Sequence, residues 1–120
     1  MGGVVLITCP FAICEHEQPN DFARYTSFAI KFLMQKNGFE VVKYEKVGSS
    51  IDVIFQLMQI YFHKNIMPIF AKIPIIRKVV RLSAIVILNI VGSTLSYLLP
   101  IGDELYMNNL IVCRKIKNVK

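Results

Sequence analysis

Between Leu82 and Leu99 the chain runs eighteen residues without a charged side chain, and this run limits the possible folds more than any other feature. As a helix it is about 27 Å long at ~1.5 Å per residue, close to the thickness of a bilayer's hydrocarbon core. Ser83, Asn89, Gly92, Ser93, Thr94 and Ser96 make it a poor span. A span would also carry the next segment, Leu105 to Arg114, which reads as a strand, away from the rest of its sheet. Three readings stand open: a helix packed inside the protein, a helix on a membrane surface, and a true span. We prefer surface association, because Lys72, Arg77, Lys78 and Arg81 place cations just ahead of the run, where they can face lipid phosphates.

The segment before it sharpens the point. Gly48-Ser49-Ser50 is a turn, and Ser49 with Asp52 has the spacing of a capping box for a helix from Ile51 to about His63. Ile51, Val53, Ile54, Phe55, Leu57, Met58, Ile60, Tyr61 and Phe62 exceed what one core-facing stripe uses, so this helix needs a second apolar partner. The segment after Pro68 and Pro74 can supply it. His63, beside Lys64, suits the carboxyl end of the helix dipole.

On the amino-terminal side, Gly3 to Thr8 is an unbroken apolar run with β-branched residues, expected of a parallel strand covered on both faces. Thr26 can cap a helix from Ser27 to Lys36, ended by Asn37-Gly38. Phe39 to Val47 mixes apolar residues with Glu40, Lys43, Glu45 and Lys46, which suits a strand near a sheet edge. Leu105 to Arg114, after the Pro100-Ile101-Gly102 turn, can pair antiparallel with it.

Most of the short polar chemistry lies in one stretch, Cys9 to Thr26, between the first strand and the first helix. Loops in that position carry the ligand sites of open α/β sheets. Pro10-Phe11, His16-Glu17, Pro19, Asp21-Phe22 and Arg24-Tyr25-Thr26 follow the Gly2-Gly3 strand, and Gly38-Phe39-Glu40 follows the helix. This ordered set resembles the carboxyl-terminal half of a class I S-adenosylmethionine-dependent methyltransferase over residues 2 to about 48. Tyr106 to Lys115 resembles that family's last strand, and residues 50 to 99 have no counterpart. The resemblance implies an α/β fold: a partial Rossmann-like sheet of about three strands, with an apolar helical insertion before the last. Residues 1–48 would be the substrate-side strand-helix-strand, 49–100 the insertion, and 101–120 the final strand with a basic tail.

The resemblance also implies S-adenosylmethionine as cofactor, held by a glycine-rich turn and an acidic residue that precede the region matched here. This chain has no G-x-G. It is expected to be inactive and to bind no cofactor alone, and to need an amino-terminal half or self-association. Methyl transfer from a sulfonium is an in-line displacement, so the protein aligns the reactants and removes a proton from an oxygen or nitrogen acceptor. His16 is the candidate base, since an imidazole titrates near neutrality; alternatively its ring ties the loop to a backbone carbonyl. Asn20 or Asp21 can cap a short helical turn carrying Phe22. Arg24 can brace the loop against Asp21 or Glu17, or grip an acceptor's carboxylate or phosphate. Phe11 and Tyr25 can wall an acceptor pocket or belong to the core. The acceptor would be small or lipid-linked.

A net charge of +6 draws the chain toward anions. Five of the positive charges, Lys78, Arg114, Lys115, Lys117 and Lys120, sit at a helix end or in the tail, and no aromatic residues interleave with a basic stripe, so nucleic acid is not expected. Cys9, Cys14 and Cys113 have neither disulfide-framework nor zinc-ligand spacing. Reduced thiols and no secretory leader predict a cytoplasmic protein, peripheral at the membrane. A small basic membrane-surface or partner-binding protein without activity is the alternative.

Overall fold

A computed structural model of the chain describes residues 2–16, 18–100 and 102–117. They form strands β1 (Val4–Pro10), β2 (Phe39–Val47) and β3 (Asn108–Lys115) and helices α1 (Ser27–Lys36), α2 (Ser50–Tyr61) and α3 (Pro74–Leu98). The class is α/β, with one sheet in the order β1-β3-β2. The chain divides into two compact units. Ser49–Leu105 is one; the sheet with α1, up to Gly48 and again from Tyr106, is the other.

In the sheet unit β3 pairs antiparallel with both neighbours, setting Ile111 opposite Ile7 on one side and Tyr44 on the other. The pairing of β3 with Phe39–Val47 is the one the sequence suggests. The outer strands therefore run parallel to each other, and α1 makes the crossover between them. The expectation of β1 as a parallel strand covered on both faces is overturned. It lies at an edge, pairs antiparallel, and alternates: Val5, Ile7 and Cys9 pack on Ile30, Ile111 and Cys113, while Val4 and Leu6 are 64% and 63% exposed. Both parities of Val4-Val5-Leu6-Ile7 are apolar, so periodicity could not separate one covered face from two.

Local signals place the rest. Thr26 Oγ1 accepts from the Ala29 N–H (3.2 Å) and starts α1. Gly38, with φ 77°, turns the chain into β2, where an irregularity between Val41 and Lys43 bends the outer edge. Burying the Ile30 and Ile111 side chains stabilises this core by about 2–3 kcal/mol each.

The helical unit begins with the expected capping box: Ser49 Oγ accepts from the Asp52 N–H (3.3 Å), and Asp52 Oδ2 accepts from the Ser49 N–H (2.8 Å). α2 runs on through a π turn (Phe62–Ile66), carrying His63 and Lys64, and a 3-10 turn (Met67–Phe70) before α3. Gly92 lets α3 approach α2 closely, since a Cβ there would lie 2.9 Å from the Phe55 ring. Polar bonds flank that contact: Gln59 Nε2 donates to Asn89 Oδ1 (2.7 Å), and the Ser49 and Ser96 hydroxyls meet at 3.2 Å. The residues that made Leu82–Leu99 a poor span are thus partly used to hold α2.

Candidate functional site

The loop leaving β1 stays attached to the sheet for two residues, as the Phe11 N–H donates to Met107 O (2.8 Å). The Phe11 ring stacks on the buried Tyr106, centroids 4.4 Å apart. From Cys14 to Arg24 the loop then closes on itself around one carboxylate. Asp21 accepts from the His16 N–H (2.9 Å) and from both terminal nitrogens of the Arg24 guanidinium. Arg24 Nη2 also donates to Cys14 O (3.2 Å) and approaches His16 Nδ1 (3.0 Å). The Arg24 bonds, then the His16 N–H, hold the Asp21 carboxyl well below the usual carboxylate range. Arg24 is pushed up in turn by its bond to Asp21.

His16 Nδ1 sits between two partners that require opposite tautomers. Toward Arg24, a permanent donor, it must accept; toward Cys14 O (3.2 Å) it must donate. Only the second arrangement leaves the Nε2 lone pair free to take a proton from an acceptor. The side chain is 40% exposed, so solvent reaches it.

Of the sequence-predicted site residues, His16, Asp21 and Arg24 are brought together. Glu17 lies outside the described residues. Phe11 is engaged with Tyr106, and Tyr25 packs against the Ile30–Ile111–Cys113 core. The helical turn expected at Asp21 does not form: its carboxylate is taken by His16 and Arg24, residues 22–26 lack helical structure, and Phe22 is 86% exposed. Ile13, Glu15, Asp21, Phe22, Ala23 and Arg24 line a hollow of about 200 Å³. That is below the ~300–1,000 Å³ of most small-molecule pockets.

Sequence reasoning missed what anchors the loop's far end. Asn109 is fully buried; its Oδ1 accepts from the Tyr44 (2.7 Å) and Tyr106 (3.0 Å) phenols, and its Nδ2 donates to Tyr25 O (2.7 Å). Tyr106 Oη accepts from the Ser27 N–H (2.9 Å), tying the start of α1 to the same cluster. Burial, with the neighbouring Tyr106 phenol, pushes the Tyr44 phenol well up. The available signal was parity: Asn109, Ile111 and Cys113 share one face of β3, and a polar residue on a core face needs partners.

In the helical unit, Arg77, Lys78 and Arg81 share one face of α3 with Pro74, and Lys72 lies in the turn before it. Comparison of the chain with protein-family models, with curated proteins and with solved structures finds no match.

Proposed function

We propose that the sheet unit is the acceptor-side portion of an S-adenosylmethionine-dependent methyltransferase, acting on a small or lipid-linked acceptor and completed by a cofactor-binding half that this chain lacks. The observation that carries this reading is the asymmetry of the two sheet edges. β2 presents Glu40, Lys43, Glu45 and Lys46 and an irregular register, devices that keep an edge strand from pairing. β1 has no charge from Val4 to Pro10 and exposes Val4 and Leu6. Its chemistry is that of an interior strand in a wider sheet. Further parallel strands added on that side would bring their carboxyl ends beside the loop from Phe11 to Thr26, the position in which open α/β sheets bind ligands. The antiparallel β3 between two parallel strands agrees with the resemblance of Tyr106–Lys115 to the family's last strand.

Within that site Arg24 and Asp21 fix the loop's shape, and His16, with Nδ1–H on Cys14 O, takes the acceptor's proton at Nε2 as the methyl group transfers. Phe11 and Tyr25 hold the loop's two ends to the core. Calorimetry with S-adenosylmethionine tests the proposal. The chain alone is expected to give no binding heat, and the chain extended by the reading frame upstream of Met1 is expected to bind stoichiometrically. Tight binding by the chain alone, or an upstream frame without a strand and glycine-rich turn, would sink it. A second reading, a non-catalytic membrane-surface module, is favoured by one observation, the exposed apolar surface of α3.

A further inference from the structure

The helical unit carries an apolar and a cationic surface whose chemistry the methyltransferase reading does not use. Ile75, Val79, Leu82, Val86, Ile90 and Tyr97 recur at helical spacing along α3 and are all exposed, from 49% at Leu82 to 89% at Tyr97. Together they form an apolar stripe about 33 Å long. Ala84, Leu88 and Gly92, among the better-covered residues of α3, lie two positions before or after members of this stripe, about 200° round the helix, on the side where Gly92 meets Phe55. The stripe is therefore the face turned away from α2.

Charge identifies what covers it. Between Val53 and Gly102 the sequence has no Asp or Glu and five cations: Lys64, Lys72, Arg77, Lys78 and Arg81. Among the described residues no ion pair engages Arg77, Lys78 or Arg81, which with Pro74 line an open groove of about 320 Å³. A protein partner would have to match a long apolar stripe together with a cationic cluster that runs from beside it, at Lys78, round to its far side, at Arg77. A phospholipid surface does so without special fit. A helix about 10 Å across, sunk ~5–10 Å into the interface, buries its stripe in acyl chains and leaves its far side level with the phosphates. The long stems of Arg77, Lys78 and Arg81 reach those phosphates.

We infer that α3 is an in-plane membrane anchor: its stripe enters the acyl layer of an anionic phospholipid bilayer, and Arg77, Lys78 and Arg81 bind the lipid phosphates. The sheet excludes the upright alternative for α3 alone. β3 follows α3 in the chain and pairs with both β1 and β2, which precede it, so a single crossing would divide one sheet between two sides of a membrane. The inference is independent of the methyltransferase reading, and its test uses no cofactor.

The full chain is sedimented with vesicles of equal phosphatidylglycerol and phosphatidylcholine, and with phosphatidylcholine alone. Binding to the anionic vesicles is expected, at least tenfold weaker to the neutral ones, and reduced to the neutral-vesicle level at about 1 M salt, where charges are screened within ~3 Å. Changing Arg77, Lys78 and Arg81 together to Gln should weaken it about a hundredfold. Val86→Asp with Ile90→Asp should abolish it while the circular dichroism stays unchanged, because both side chains are exposed. The chain has no tryptophan, so single Ile75→Trp, Val86→Trp and Tyr97→Trp variants report depth by quenching with brominated lipids. Equal shallow depth at all three is expected. Absence of binding, equal binding to neutral vesicles, an unaffected triple variant, or a deep Val86→Trp between shallow ends each overturns the inference. So does a chain that dimerises through the stripe in solution and ignores vesicles.

Discussion

Replacing Asn109 with Ala removes a hub that touches β2, the end of the loop and Tyr106 at once. The Tyr44 and Tyr106 hydroxyls lose the acceptor of their O–H groups and Tyr25 O loses its donor, although Tyr106 Oη still accepts from the Ser27 N–H. Three stranded polar groups at about 1–3 kcal/mol each give a destabilisation of at least ~3 kcal/mol. The chain divides into two compact units, so a readout specific to the sheet unit is needed in place of a single global melt. Hydrogen exchange of the Ile111 and Cys113 amides in the folded chain reports the sheet unit directly. Tyr44→Phe alone should cost about 1 kcal/mol. In the Asn109→Ala background it should cost nothing or restore stability, because it deletes the phenol that the first change stranded. A loss below about 1 kcal/mol for Asn109→Ala, or additive effects in the double variant, would refute the hub.

Asp21 gives a pH prediction. Its folded-state pKa is depressed, chiefly by Arg24, so the stabilisation it supplies is full above the unfolded value of about 3.9 and is lost as pH falls toward the folded value. Protection of the His16 amide should begin to fail only below about pH 4, and Asp21→Asn should lower it above that pH, the two proteins converging as the carboxylate is protonated; equal protection in both at neutral pH would contradict the ring of bonds. Gly92→Val should drive a side chain into Phe55 and loosen α2 from α3 by about 2–3 kcal/mol, read in urea by the helical circular dichroism. Unchanged stability would mean that Gly92 is not the contact point. Leu6→Lys, on an exposed position, should change the chain's own stability by less than about 0.5 kcal/mol, yet abolish S-adenosylmethionine binding by the upstream-extended protein, in which β1 becomes interior. Retained affinity there would remove the edge argument.

What was legible in the sequence was local. Thr26, the Ser49/Asp52 pair and Gly38 act through neighbours three or four residues away, and the structure has the cap, the capping box and the left-handed turn where those residues stand. The charges of Phe39–Val47 marked an edge strand because edge protection is written into the strand itself. The position of β1 was not legible, since an apolar run says that faces need cover but not which cover exists. Nor was Asn109, whose partners Tyr25 and Tyr44 lie 84 and 65 residues away. Arg24 with Asp21 was foreseeable as an i, i+3 pair, whereas the capture of the His16 N–H required a loop closure that no periodicity records.

The two surfaces left uncovered differ in kind, and the difference separates the two proposals. The free edge of β1 offers backbone donors and acceptors in a fixed register, so what completes it must be another strand, and the match depends on sequence and geometry. The α3 stripe offers side chains alone, with its backbone already bonded within the helix. It needs only an apolar phase of matching length, which a bilayer supplies without register. A cofactor half and a membrane would therefore be recognised by different chemistry, strand pairing for the one and apolar area for the other.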